Sequence, residues 1–351
     1  MKGNLAPATV NYNRMNQTPT IKRLIVTGGA GYIGSHLVKL ASAQGVDVHV
    51  VDDLSTGFAD AIPTATLHRV AIQDHLKLVT LLAALRPCAV VHFAGSISVG
   101  ESVVSPLKYY EDNVSNTIIL LRAMHAASVK KFVFSSSAAV YGTPTQPRLS
   151  ESHPLLPINP YGHSKLMIEQ VLADCAKADV IDYCALRYFN AAGAFPDASL
   201  GERHDPETHL IPLVIRAALN GGTLSVFGDD YDTHDGTCVR DYVHVCDLAN
   251  AHLAAVTYLQ RGGQSRAFNL GTGGGHSIRE VIAAVEKETG KQVRIKIEDR
   301  RIGDPARLVA DATSARVELN WNPTHSEITE IIATAVRWER RELSSTRLLF
   351  S

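Results

Sequence analysis

The sequence predicts an α/β fold: a doubly wound, Rossmann-type parallel sheet followed by a smaller α/β C-terminal substrate domain. Three observations carry this. Short β-branched runs alternate with helical patterns through the first half of the 351 residues. Those runs are almost continuously apolar, as strands are when helices cover both faces of a parallel sheet. A glycine-rich stretch, TGGAGYIGSH at 27–36, stands at the first strand–helix junction.

In chain order, strands are expected over 24–27, 47–51 and 67–72, with helices over 31–44 and 74–86. A strand follows over 89–94, then a long helix that Pro106 opens and that runs to Ala126. The strands 131–135 and 182–188 flank a helix over 160–178. This β-α-β repetition is the pattern of a doubly wound sheet. From about Asn190 the pattern is less regular, with turn signals at Gly221-Gly222, at Asp235-Gly236 and through 271–275. Amphipathic helices are read over 247–259, 277–289 and 326–341. The expected division is a tail over 1–20, a dinucleotide-binding domain over 21–189 with a return segment near 238–262, and a second domain over 190–351.

Composition narrows the function classes. The net charge is -1 and 20% of residues are charged, so no surface-wide basic field argues for nucleic acid. No apolar run reaches the length of a spanning helix, which argues against a membrane protein. The first 20 residues lack the apolar segment of a signal peptide and read as a disordered tail, with Met15 as an alternative start. Cys88, Cys175, Cys184, Cys238 and Cys246 are scattered and include no C-x-x-C pair. An odd, irregularly spaced set suits reduced thiols in a cytoplasmic protein, and no metal motif is read.

Glycines 28, 31 and 34 fall at every third position, and with Gly29 the stretch contains a G-x-G-x-x-G pattern at 29, 31 and 34. Alone this is a tight turn. After a strand and before a helix it is the context of a dinucleotide site, in which bare backbone lets phosphates approach a helix N-terminus. The next strand ends in Asp52, 18 residues past Gly34. A carboxylate there meets the adenosine ribose hydroxyls and repels a 2′-phosphate, so NAD is expected over NADP.

NPYGHSK at 159–165 contains Tyr161 and Lys165, which share one helix face, with Pro160 placed to start the helix. Of the 11 tyrosines, only Tyr161 has a lysine four residues on. A phenol of pKa about 10 is expected to fall beside an ammonium and a nicotinamide cation, leaving a general base near neutrality. A lone Y-x-x-x-K is a surface pair. Position lifts it, because the preceding strand, KKFVFSSS, ends in Ser135, Ser136 and Ser137. Serines at the carboxyl end of a parallel strand point into the cofactor crevice.

Together these residues resemble the extended short-chain dehydrogenase/reductase family, and within it the UDP-galactose 4-epimerases. The resemblance covers about 22–338, through VTGGAGYIGSH, FVFSSSAAVYG, NPYGHSKLMIEQVL, LRYFNAAGA, SVFGDDYDTHDGTCVRDYVHV, FNLGTG and RRIGDPARLVAD. It implies a tightly held NAD used as a hydride shuttle between UDP-galactose and UDP-glucose, with zero net redox change. Tyr161 would take the sugar O4 proton, Lys165 would hold the cofactor ribose, and Ser137 would bind the reacting hydroxyl. The 4-keto sugar would then turn over before hydride returns. The resemblance also implies cofactor contacts at Tyr32, Ile33, Asp53, Leu54, Ser55 and Ile72. Further ones are implied at Phe93, Ala94, Gly95, Asn113, Ser135, Tyr188 and Phe189. For the UDP-sugar it implies Asn190, His209, Leu210, Val226, Phe227, Arg240, Arg301, Asp304 and Leu308. Arginines suit a pyrophosphate by charge and fork geometry. A homodimer through the helices 106–126 and 160–178 is implied as well.

Related dehydratases carry an Asp-Glu pair after the active-site serine or threonine, and related decarboxylases a Glu. Here both positions are alanine, Ala138 and Ala139, so elimination and decarboxylation lack their extra acid or base. Ala139 also replaces a threonine common in the epimerases. Ile97 stands for a cofactor-binding lysine and Ala71 for an aspartate that contacts the adenine, which weakens the expectation of very tight NAD retention. His209 replaces an asparagine and is still able to donate a hydrogen bond. Leu308 occupies the position whose bulk excludes an N-acetyl group, which favours UDP-glucose and UDP-galactose. The alternatives are a UDP-xylose/UDP-arabinose 4-epimerase, a non-catalytic NAD-binding regulator, and a dehydrogenase that releases NADH. The reaction itself serves galactose catabolism and polysaccharide precursor supply alike.

Overall fold

The structure, a computed structural model, describes residues 21–301 and 304–349. The expected tail over 1–20 lies outside them.

A seven-stranded parallel sheet forms the first layer. Its strands are β1 (Arg23–Thr27), β2 (Asp47–Val51), β3 (Thr66–His68), β4 (Ala89–His92), β5 (Lys131–Ser137), β6 (Asp182–Tyr188) and an edge strand, β11 (Arg266–Leu270). The spatial order is β11-β6-β5-β4-β1-β2-β3, so the winding reverses between β1 and β4. The crevice outside the carboxyl ends of those two strands is where such sheets bind ligands.

The connecting helices are α1 (Tyr32–Ala43), α2 (His75–Leu85), α3 (Val99–Val104), α4 (Pro106–Tyr109), α5 (Asn116–Ala126) and α6 (Pro160–Lys177). Period-2 alternation sends Leu24, Val26, Val48 and Val50 to one face, against Leu37 and Val38 of α1. Ile25, Val90, Phe132 and Phe134 go to the other, against Leu78, Leu120 and Ile168. Both faces are buried, which is why the strands read as unbroken apolar runs.

The second layer holds β7 (Asn190–Ala192), α7 (Leu210–Asn220), β8 (Thr223–Phe227), β9 (Val239–Arg240), β10 (Tyr242–His244) and α8 (Val245–Gln260). After β11 follow β12 (His276–Ser277), α9 (Ile278–Thr289), β13 (Arg294–Glu298), β14 (Arg307–Leu308), α10 (Thr313–Glu318) and α11 (Ile328–Leu349). Small sheets pair β10 with β7, β13 with β8, and β12-β9-β14. A separate core joins Val214, Ile215, Val226, Val281, Ile331 and Val336. α8 crosses back onto the first core through Leu248, Ala255 and Val256, and β11, beyond the expected return segment, closes the sheet edge.

Two elements differ from expectation. β3 stops at His68, because an edge strand is paired on one side only and Val70 N–H turns back to His68 O. The helix expected over 106–126 contains a wide turn of π type, Tyr110–Ser115, between α4 and α5. That turn re-aims Asn113, and its reason lies in the site.

Candidate active site

The glycine loop begins where β1 ends. Gly28 has φ +67°, and a Cβ there would meet Ala94 N at 2.5 Å. A Cβ on Gly34 would stand 2.3 Å from Gly28 O. Neither position admits a side chain. Gly31 caps α1 without any side-chain hydrogen bond, so the backbone N–H groups and positive dipole end of the helix are left to an anion. Asp52 stands beside the loop: Oδ2 accepts Ala30 N–H at 3.0 Å and Oδ1 accepts Leu54 N–H at 2.9 Å. Burial raises its carboxyl pKa against these two bonds. Asp53 Oδ1 accepts Ser55 N–H at 2.9 Å, and Leu54 takes φ +62°, which fixes the turn over 52–55. The residues present therefore fit a dinucleotide with free ribose hydroxyls.

Three of the expected cofactor contacts also do local structural work. The Tyr32 hydroxyl donates to Gly193 O at 2.6 Å and so ties α1 to the second layer. Ile33 packs into the first core, and Ile72 is buried beneath α2 beside Val51 and Leu78.

Across the crevice, Phe93 N–H donates to Thr27 O at 2.9 Å, setting Phe93, Ala94 and Gly95 against the glycine loop. A Cβ on Gly95 would meet Asn113 Oδ1 at 2.6 Å. Asn113 is buried and its amide is engaged within the protein: Oδ1 accepts Ser96 N–H at 2.8 Å, while Nδ2 donates to Ser96 O at 3.0 Å and Ser164 Oγ at 2.9 Å. Ser164 Oγ in turn donates to Tyr161 O at 2.7 Å. The wide turn before α5 thus lets Asn113 couple the β4 loop to the helix that carries Tyr161. Ile97 is half exposed and Ala71 half-buried, so neither brings a charge to the crevice.

The serines end β5, where Ser137 lies in register with Tyr188. Ser135 Oγ shares a short hydrogen bond with the Tyr188 hydroxyl, and Ser137 Oγ accepts Ala139 N–H at 3.2 Å. Asn159 Oδ1 caps α6 by accepting Gly162 N–H at 2.8 Å, with Pro160 in the first turn. Tyr161 and Lys165 follow, both buried. Lys165 Nζ donates to Ser135 O at 3.0 Å. Burial lowers the Lys165 pKa to about 8, against the pull of the Glu169 carboxylate.

The Tyr161 phenol departs from expectation. Burial raises its pKa, and the only opposing influence is the hydrogen bond to the Ser137 hydroxyl. Lys165 does not lower it here, because its ammonium is turned to Ser135 O, 5.7 Å from the Tyr161 ring centroid.

On the substrate side, Asn190 N–H donates to Asp241 O at 3.0 Å, which holds Asn190 at the start of β7. The Arg240 guanidinium forms a short ion pair with Asp304, and Arg240 lies in register with Leu308 across β9 and β14. Leu308 and Phe189 both pack on Ala138, Val140, Tyr141 and Leu149, the stretch that follows the serines. The Arg301 guanidinium lies 3.9 Å over the Phe227 ring. Three further expected contacts also have partners within the protein. Val226 and Leu210 turn their side chains to the second core, and His209 Nδ1 faces Glu202 Oε1 at 2.6 Å.

Sequence reading missed the groups that hold these parts together. Asp241 is fully buried: Oδ1 accepts Thr272 N–H and Oγ1–H at 2.8 and 2.7 Å, and Oδ2 accepts Gly273 and Ala310 N–H at 3.0 and 3.1 Å. Glu169 and Arg187 form a buried bidentate pair, and Glu169 also accepts Ser136 Oγ–H at 2.5 Å. The only sequence signal for that pair was Glu169 two helical turns past Tyr161, on the same face.

Comparison with known proteins agrees with this fold. The model of the NAD dependent epimerase/dehydratase family matches residues 24–271. A UDP-glucose 4-epimerase of Lactobacillus helveticus is 48% identical over 320 residues, 91% of this chain and 97% of its own. The crystal structure of UDP-glucose 4-epimerase from Brucella ovis in complex with NAD superposes with a TM-score of 0.88 at 47% identity, covering 90% of this chain and 98% of that one. A UDP-glucose-4-epimerase from Stenotrophomonas maltophila, with bound NAD and formylated UDP-arabinopyranose, gives a TM-score of 0.90 at 40% identity, with 92% and 99% covered. By the extent of these matches, the chain belongs to the NAD dependent epimerase/dehydratase family.

Proposed function

We propose that the protein interconverts UDP-galactose and UDP-glucose by transient oxidation at sugar C4, with NAD as a resident cofactor. One observation carries the reading: Tyr161, Lys165 and Ser137 converge at the carboxyl end of β5, and Ala138 and Ala139 stand where elimination or decarboxylation needs an acid or base. Held by the glycine loop and Asp52, NAD would supply a reversible hydride acceptor for sugar C4. Tyr161 takes the O4 proton and later returns it. Ser137 holds the reacting hydroxyl. Lys165 anchors the cofactor ribose. Arg240 and Arg301 hold the pyrophosphate, so that the sugar is free to turn over.

The chemistry asks for positive charge near Tyr161, since burial alone raises the phenol pKa. A bound nicotinamide cation would supply it, letting Tyr161 exchange its proton although burial keeps the phenol neutral.

The test is incubation of the purified protein with UDP-galactose, with and without added NAD. Formation of UDP-glucose without accumulation of NADH supports the reading. No conversion in either arm overturns it. A second reading, a UDP-pentose 4-epimerase, is favoured by the arabinopyranose nucleotide in the Stenotrophomonas maltophila relative. Turnover of UDP-arabinose without turnover of UDP-galactose would select it.

The quaternary, cellular and domain readings rest on separate observations. Leu107 on α4, Ile118 on α5 and Met167 on α6 expose apolar side chains on the helices expected to pair, which supports a homodimer. Light scattering at micromolar concentration tests this. Five free cysteines, three of them buried, support a cytoplasmic protein. Among the described residues no helix is long and apolar enough to cross a membrane. The division into a cofactor domain, 21–189 with its return, and a substrate domain from Asn190 is supported by a core formed only of residues from Ala192 onward, although Phe268, Leu270, Ala315, Leu319 and Trp321 join the first core.

A further inference from the structure

The segment between β7 and α7 gathers Glu202, His204, Glu207 and His209 at one point of the second layer. One ligand-type atom from each lies within 4.8 Å of the others. His209 Nδ1 stands 2.6 Å from Glu202 Oε1 and 3.3 Å from Glu207 Oε1. His204 Nδ1 stands 3.3 Å from Glu202 Oε1 and 3.8 Å from Glu207 Oε2. A tetrahedral ion with ligands at about 2.0–2.2 Å would set neighbouring ligand atoms roughly 3.3–3.6 Å apart. The cluster already has nearly that size.

A second observation is independent of the spacing. Glu207 Oε2 and His204 Nδ1 are both buried, and neither makes a well-formed hydrogen bond, His204 Nδ1 meeting only the carboxylates of the cluster itself. The Glu207 side chain is only 2% exposed. A buried carboxylate oxygen without a donor is costly, and native proteins rarely leave one. Arg216, the cation beside it, reaches only to 4.0 Å of Glu207 Oε2 and is held by Glu339 through three contacts of 3.0–3.2 Å. The arginine therefore does not satisfy the glutamate. Glu207 Oε1, by contrast, accepts Thr208 N–H and His209 N–H at 2.8 and 2.9 Å, so its carboxylate is fixed with Oε2 turned to the cluster.

We propose that Glu202, His204, Glu207 and His209 bind a divalent transition-metal ion of the zinc class. Two carboxylates neutralise the dication, and imidazole nitrogen suits a borderline metal better than calcium or magnesium. Protein groups fill all the tetrahedral positions, so the site is structural. Its place explains what it stabilises. The Tyr32 ring meets His204 edge-on at 6.4 Å, and Arg203 bridges to Asp60 while its guanidinium lies 3.6 Å over the Phe58 ring. The ion would hold the 200–209 segment against the helix that follows the glycine loop.

The test uses the full-length protein, dialysed against a chelator and titrated with CoCl2. Expected are intense visible absorption bands of tetrahedral cobalt that saturate at about one ion per chain and vanish on addition of ZnCl2, with a raised thermal midpoint. His204→Asn and Glu207→Gln should each weaken cobalt binding by at least on the order of a hundredfold. The proposal is overturned if the wild-type protein gives no saturable tetrahedral spectrum, or if both variants bind as the wild type does. Should the variants fold poorly by circular dichroism, the wild-type cobalt titration decides alone.

Discussion

Lys165 Nζ lies 5.7 Å from the Tyr161 ring centroid, one turn along the same helix, and donates to Ser135 O at 3.0 Å. A single hydrogen bond thus joins the lysine to the strand whose last residue, Ser137, meets the Tyr161 phenol. Tyr161→Phe removes only the hydroxyl and leaves this scaffold in place. Turnover of UDP-galactose should fall by about 10²–10⁴, the usual size of a lost general base. NAD content of the purified variant, read by absorbance after acid release, should stay at the wild-type level. Retained turnover would remove Tyr161 from the mechanism.

Glu169 and Arg187 illustrate the difference between breaking and replacing a buried ion pair. Arg187 also donates to the Tyr141 hydroxyl at 3.0 Å, so the pair spans α6, β6 and the loop after β5. Arg187→Met should destabilise the protein by about 3–5 kcal/mol, because the Glu169 carboxylate is left buried without its partner. The double variant Glu169→Met/Arg187→Met should recover most of that loss. Urea denaturation midpoints check both, and equal loss in the two variants would refute the account.

Leu308 packs against the cluster of Ala138, Val140, Tyr141 and Leu149 that follows the serines. Leu308→Ser should open space next to the sugar. The ratio of kcat/KM for UDP-N-acetylglucosamine to that for UDP-glucose should rise by on the order of tenfold, the scale of one or two methylene groups in a pocket. An unchanged ratio would show that Leu308 does not limit the sugar.

Four histidines should make the fold sensitive to acid. Burial lowers the pKa of His92 to about 3, and those of His36, His244 and His252 to about 4. Unfolded, each titrates near 6.5. Between about 6.5 and 4 the unfolded chain therefore binds more protons than the folded one at these four positions, and their contribution to stability falls as the pH falls. This outweighs His204 and His209, whose raised pKa values of about 9 and 10 act the other way only near the top of that window. Each of the four contributes up to about 1.4 kcal/mol per pH unit within that window. Denaturant midpoints at pH 7, 5.5 and 4.5 should drop steeply. A flat profile would mean that these side chains are not kept neutral.

Much of this site was legible in the sequence because its parts are local. The glycine loop, its following helix and Asp52 lie within one β-α-β unit, so spacing alone places them together. Tyr161 and Lys165 share a face because a helix repeats every 3.6 residues. The serines point at the crevice because β5 is parallel and ends there. The continuous apolar runs foretold a sheet covered on both faces, with Ile25 and Val26 facing opposite cores.

Tertiary structure decided the rest. Asn113 reaches Ser164 across 51 residues, Asp241 reaches Ala310 across 69, and Tyr32 reaches Gly193 across 161. No periodicity in the chain encodes such pairs, since they depend on how strands are ordered and how far loops return. The Tyr161 phenol is the sharpest case. Its neighbour in sequence, Lys165, suggested a lowered pKa, yet burial raises it, because desolvation depends on everything packed around the ring and the ammonium had another acceptor to choose. Sequence by itself determined which groups are present at the crevice and in what order. Only the folded chain decided which of them face each other and in what electrostatic surroundings, because those depend on contacts between segments far apart in the chain.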